Sequence, residues 1–163
     1  MRAIISVLVE NRAGVLSRTA GMFARRGFNI ESLAVGQTED ASISRMTIVV
    51  EGDRQIIEQV NKQLNKQVDI IKVRELKENS ATRRELALIK VHATAKTRGE
   101  ITDIATILKA RIVDISPTTL TVEISDRPEK VSQLLMMLEP YGLVELARTG
   151  MVALQKGSSG IAE

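Results

Sequence analysis

The chain has 163 residues, a formal net charge of +3, 44% apolar and 26% charged residues, and no cysteine. That length allows one domain or two small ones, and the composition supports an aliphatic core beneath a charged surface. Lack of cysteine excludes thiol catalysis, disulfides and thiolate metal sites, and basic residues dispersed among acids, with only two Phe, one Tyr and no Trp, argue against a nucleic-acid partner. No apolar run approaches the ~18 residues of a membrane span, and the N-terminal residues suit a strand rather than a signal peptide. The expectation is a cytoplasmic protein with no membrane partner.

In chain order, Ala3–Val9 is a β-rich apolar run ending at Glu10-Asn11-Arg12. An amphipathic helix is predicted over Val15–Arg26, with Leu16, Ala20 and Phe23 on one stripe and Val15, Thr19 and Met22 beside it. Arg25-Arg26 and Gly27 supply a basic last turn and a left-handed stop. Strands follow over Asn29–Gly36 and Arg45–Val50, separated by the polar turn Gln37-Thr38-Glu39-Asp40. Asp53 is placed to cap a second helix carrying Ile56, Ile57, Val60 and Leu64, and Val68–Leu76 closes the unit as a strand.

Lys77–Arg84 is polar and aperiodic, as a linker would be. The same order then recurs: a strand over Leu86–Ala93, a helix over Glu100–Ala110, strands over Arg111–Ile115 and Leu120–Ile124, and a helix begun by Asp126-Arg127-Pro128. Tyr141-Gly142 ends that helix, Leu143–Leu154 supplies one or two strands, and Gly157-Ser158-Ser159-Gly160 suits a disordered tail. The fold expected is α+β, two tandem ferredoxin-like βαββαβ units: residues 1–76, a linker over 77–84, a second domain over 85–156 and a flexible tail over 157–163. The spacing from Asn11-Arg12 to Gly27 recurs from Asp126-Arg127 to Gly142, but Glu129 stands where the first unit has Gly14.

The turn Asn11-Arg12-Ala13-Gly14-Val15 is the candidate site. Gly14 lets backbone approach a ligand, and the N–H groups of the following helical turn are a natural seat for a carboxylate. Asn11 suits a helix cap or a ligand contact, and Asn29 a second amide across the helix. The same residues equally suit an ordinary β-to-α turn. His92, the only histidine, sits in an apolar strand where a structural role fits better than a catalytic one. Glu39-Asp40 suits solubility better than metal binding, and no GxGxxG, GxxxxGK[ST], HExxH or GxSxG motif occurs. Binding or regulation is therefore favoured over catalysis. A homodimer built on Ile4, Val7, Met46, Ile48 and the first helix, with a pocket lined by Gly14 and Asn29, would suit an amino acid.

The stretch VENRAGVLSRTAGMFARRGFNIESL resembles the ACT domain, and more narrowly the regulatory (small) subunit family of acetolactate synthase, also called acetohydroxyacid synthase. Arg26–Leu33, Ser44–Ile48, Gln63–Val73 and Arg84-Glu85-Leu86 carry the narrower likeness. The resemblance implies a non-catalytic, homodimeric subunit. It would activate the large catalytic subunit, which would carry thiamine diphosphate, Mg and FAD, and confer feedback inhibition by valine or another branched-chain amino acid. It also implies an effector site on Asn11, Ala13, Gly14, Val15 and Leu16, with Asn29 and Ile30 from across the dimer interface. No catalytic residue, metal site or cofactor is expected in this chain. The alternative is a stand-alone ACT-repeat regulator of another enzyme or of transcription.

Overall fold

The computed structural model describes residues 1–162. In chain order the elements are β1 (Arg2–Glu10), α1 (Val15–Arg26), β2 (Asn29–Gln37), β3 (Ile43–Glu51), α2 (Arg54–Asn65), β4 (Ile70–Leu76), β5 (Ala81–His92), α3 (Arg98–Ile107), β6 (Arg111–Ile115), β7 (Thr119–Asp126), α4 (Pro128–Leu138), β8 (Leu143–Arg148) and β9 (Val152–Gln155). They form two units, Met1–Thr82 together with the chain from Met151 onward, and Arg83–Gly150. Each has the expected ferredoxin-like topology, with strand orders β2-β3-β1-β4 and β6-β7-β5-β8 and antiparallel neighbours.

In the first unit, alternate β1 residues Ala3, Ile5, Val7 and Val9 meet Val15, Met22 and Phe23 of α1 and Ile57, Val60 and Leu64 of α2. Phe23 and Phe28 add an edge-to-face contact, with ring centroids 6.0 Å apart. Gly27 stops α1 in the left-handed region at φ 68°, and Asp53 caps α2 by accepting from the Ile56 N–H at 2.9 Å.

Two expectations need correcting. The buried stripe of α1 is Val15, Thr19, Met22 and Phe23, whereas Leu16 is 47% exposed and Ala20 faces solvent. The helix is rotated by about one residue from the sequence reading, because Val15 and Phe23 both pack on the sheet. Val7, Met46 and Ile48 are fully buried beneath the helices, and Ile4 is buried on the opposite face, so none of them is surface for a dimer.

The stretch 77–84, expected to link two domains, is a 3-10 turn over Glu78–Ser80 running straight into β5. The end of the chain also departs from expectation, because Met151 and Ala153 pack on Ile4, Val49, Leu76 and Ala81 over the second face of the first sheet. Arg45 Nη2 donates to the Ala153 carbonyl at 2.9 Å, and the Lys156 N–H donates to Ser80 O at 2.8 Å. The Gly160 carbonyl, in the stretch expected to be a loose tail, accepts from Arg74 Nη1 at 2.7 Å. Met151 and Ala153 are buried while Val152 and Leu154 are exposed; all four are apolar, so neither this alternation nor the sheet it covers is visible in the sequence.

The second unit builds its core from Ala87, Ile89 and Val91 of β5 against Ile101 and Ala105 of α3 and Val131, Leu134 and Leu138 of α4. Glu85, at the start of its central strand, is buried and accepts from Arg148 Nε at 2.8 Å and Nη2 at 2.9 Å.

If Met151 belongs to the first unit's core, Met151→Ala lowers unfolding stability by about 2–3 kcal/mol. Val152→Ala, at a half-exposed neighbour, changes it by less than about 0.5 kcal/mol. Denaturant titration of the two variants checks this, and equal effects would contradict it.

Candidate functional site

The β1–α1 loop begins where three strand ends meet. The Glu10 N–H donates to Asp69 O at 2.9 Å, and the Asn11 N–H donates to Ser42 O at 2.8 Å. Asn11 does not cap α1: its Nδ2 donates to the Ala41 carbonyl at 2.8 Å, gripping the β2–β3 turn. That turn is itself fixed by Asp40, whose Oδ1 accepts from Ser42 Oγ at 2.7 Å and from the Ser42 N–H at 2.9 Å. These donors, the hydroxyl first and the backbone N–H second, hold the Asp40 carboxyl below its usual range.

The residue that caps α1 is Gly14, at φ 85° and with no side-chain cap. Its carbonyl accepts from the Arg18 N–H at 2.9 Å. The left-handed backbone favours glycine, and a Cβ at Gly14 would lie 2.7 Å from Arg18 Nη1, so the guanidinium would have to shift from its seat. Helix α1 has no acidic residue in its first turn, and the leading N–H groups of a helix lack intrahelical acceptors. Asn11, Ala13, Gly14 and Leu16 are exposed around this turn, while Val15 is buried in the core.

Beneath the loop lies Asp69, a buried carboxylate just before β4. Its Oδ1 accepts from Arg12 Nη2 at 3.1 Å, and its Oδ2 accepts from Arg18 Nε at 2.9 Å and pairs with Arg18 Nη2 at 2.6 Å. Beside it a shallow cleft is lined by Arg18, Arg25, Gln67 and Val68.

Asn29 and Ile30 lie elsewhere. Asn29 opens β2 opposite Glu51, whereas Glu10 ends β1 opposite Ile43, so the two sites occupy opposite ends of β3. At roughly 3.3 Å per residue the nine residues of β3 separate those ends by about 26 Å. Asn29 therefore offers no second amide across the helix of its own protomer. The structure brings together Asn11, Ala13, Gly14, Val15 and Leu16, and leaves exposed Asn29 and half-buried Ile30 apart from them.

Two family models match this chain, the AHAS small subunit-like ACT domain over residues 5–72 and the small subunit of acetolactate synthase over residues 84–157. It is 54% identical over 158 residues to the probable acetolactate synthase small subunit of Archaeoglobus fulgidus, covering 97% of this chain and 99% of that one. The acetolactate synthase small subunit of Mycolicibacterium smegmatis is 50% identical over 157 residues, covering 96% and 92% of the two chains. The crystal structure of the small subunit from Thermotoga maritima superposes with a TM-score of 0.90 at 37% identity, covering 98% and 99%. The chain belongs to the acetolactate synthase small subunit family.

The echo in spacing between Asn11-Arg12 and Asp126-Arg127 does not survive the fold: Asp126-Arg127 leads from β7 into α4, the second helix of its unit, so it corresponds to the entry to α2, and the counterpart of the β1–α1 turn is the stretch between β5 and α3. Glu129, in the first turn of α4, accepts from Arg83 Nη1 at 2.6 Å, and this pairing holds its carboxyl below the usual range. The Asp126 carboxyl is likewise held low, mainly by the Arg127 N–H. Gly142, which closes the 3-10 turn after α4, is at positive φ, 96°. His92 is exposed at the end of β5, its N–H donating to the Gly142 carbonyl at 2.9 Å. Among the described residues no group of three or more His, Asp or Glu is arranged to hold a metal ion, and no helix is long and apolar enough to cross a membrane.

Sequence reasoning missed Asp69 and Arg18 as parts of this site, and gave Arg12, inside the candidate turn, no role of its own. Arg18, four residues after Gly14, shares its helical face, which is a readable signal. Nothing local links either residue to Asp69, more than fifty positions away.

Gly14→Ala, which adds only a methyl, costs about 1–2 kcal/mol of stability because of the left-handed φ. Gly36→Ala, where a Cβ meets nothing within 4 Å, changes stability by less than about 0.5 kcal/mol. Thermal melting of both variants measures the difference.

Proposed function

We propose that this chain is a non-catalytic subunit that activates the catalytic subunit of acetolactate synthase and makes it sensitive to feedback inhibition by valine. The observation that carries the reading is the separation of the two halves of the site by the length of β3. One protomer alone cannot close a small pocket with both halves. A two-fold axis beside the edge strand β2 reverses the partner's strands and brings the β1–α1 loop of one protomer to the Asn29 end of the other.

Supporting features lie along that edge. Among the described residues β2 pairs with β3 alone, leaving backbone donors and acceptors on its other side for a second copy. Helix α1 crosses over β3 on its way from β1 to β2 and so lies on the β2 side of the sheet. Leu16 and Val35 supply exposed apolar surface there. In this homodimer the effector carboxylate meets the N–H groups at the start of α1, where Gly14 permits close approach. Asn11 and the partner protomer's Asn29 hold the polar ends. Leu16 and Ile30 line the space for a branched side chain.

Thiamine diphosphate, Mg and FAD are assigned to the catalytic partner. Valine acts by binding one of two states of the assembly more tightly, so its effect is limited to its differential affinity for them.

The test is reconstitution with a purified acetolactate synthase catalytic subunit from the same source. The chain is expected to raise the acetolactate synthesis rate, and valine to lower it again. Gly14→Asp, which places bulk and negative charge against the effector carboxylate, retains activation but raises the inhibitory valine concentration by more than about tenfold. Absence of activation would overturn the partner assignment. Unchanged valine sensitivity of Gly14→Asp would overturn the site.

A further inference from the structure

We propose that Asp69 is a positioning residue for the effector site, and that the Asp69–Arg18–Arg12 cluster sets effector affinity by holding the β1–α1 loop in its binding conformation. This inference rests on the effector reading above. It adds residues that touch no effector.

Asp69 ties three consecutive parts of the site to one point. Its backbone carbonyl receives the Glu10 N–H where β1 ends. One carboxylate oxygen receives Arg12, from within the loop, and the other receives Arg18, from α1. Bonds between guanidinium and carboxylate are charge-assisted and directional, so they fix geometry as well as adding energy. With Arg18 held in this way by Nε and Nη2, its Nη1 occupies the space where a side chain at position 14 would begin. The guanidinium is thus the wall behind the Gly14 backbone, and Asp69 holds that wall in place.

Without the carboxylate, Arg12 and Arg18 lose their shared acceptor and repel each other. Both have side chains more than half exposed, so they swing into water instead of unfolding the unit. The loop then samples other conformations, and an effector must order it on binding, which weakens affinity. Simple electrostatics predicts the opposite sign: neutralising Asp69 leaves the site more positive and tightens the binding of a carboxylate. The direction of the change therefore separates positioning from charge.

The experiment is calorimetric titration of the full-length protein with valine. Asp69→Asn and Arg18→Gln are each expected to weaken binding by about tenfold, and the double variant is expected to be no weaker than either single one, because the two residues act through one contact. Arg18→Lys, which keeps the charge, recovers part of the loss. Glu85→Gln, which breaks the buried pair with Arg148 in the second unit, leaves valine affinity unchanged and controls for general destabilisation. If Asp69→Asn fails to fold, Asp69→Ser, which is also neutral, carries the test by the same sign: weaker binding supports positioning, and equal or tighter binding overturns it. Folded variants that bind valine as tightly as the unaltered chain, or more tightly, overturn the positioning role while leaving the effector reading intact. Failure of the unaltered chain to bind valine overturns the effector reading and this inference together.

Discussion

Strand β1 is the constraint on which the first unit depends, because it is buried on both faces. Ala3, Ile5, Val7 and Val9 supply the helix-facing core, while Ile4 sits in a second cluster closed by Met151 and Ala153. A one-residue slip of this strand would exchange the two sets and leave Ser6, fully buried between them, facing the helices. Its register with β3 and β4 is therefore fixed, and with it the point where the chain leaves the sheet at Glu10. The β2–β3 turn and the entry to β4 arrive at the same place, so the loop that follows is anchored from both sides by Ser42 and Asp69.

Two units with one topology enter their first helices through different turns. In the first, a glycine at positive φ leaves the backbone open, with an arginine behind it held by a buried aspartate. In the second, the turn from β5 into α3 has no glycine and closes on itself, Thr97 Oγ1 accepting from the Thr94 N–H at 2.9 Å and Thr94 Oγ1 from the Thr97 N–H at 3.1 Å. The repeated fold supplies the scaffold, and the residues of the turn after the first strand of each unit differ. Under the function proposed above, the first unit senses the effector and the second does not.

Much of this was legible in the sequence because it is local. The 3.6-residue period of Val15–Arg26, the Asp53 cap, the glycine stops and the alternation in β7 each depend on neighbours a few positions away. The sequence also drew attention to Asn11, Gly14 and Asn29. Contacts between distant residues were not legible. The Arg18–Asp69 pair, the opposite placement of Asn11 and Asn29 along β3, and the return of Met151 to the first sheet all depend on strand order and register. The rotation of α1 that buries Val15 and exposes Leu16 was missed for a related reason. Both residues are apolar, and only the sheet beneath decides which one packs.

The central claim is that the effector site is shared between protomers, and mixing two defective variants tests it most directly. Gly14→Asp damages the loop half of the site, and Asn29→Ala damages the strand half. Each homodimer alone is expected to bind valine more than about tenfold more weakly than the unaltered protein. After subunit exchange, a mixed dimer contains one site with both lesions and one with neither, so tight binding should reappear at one valine per mixed dimer. If the unaltered protein binds valine tightly and the exchanged mixture does not, the site lies within a single protomer and the account is wrong.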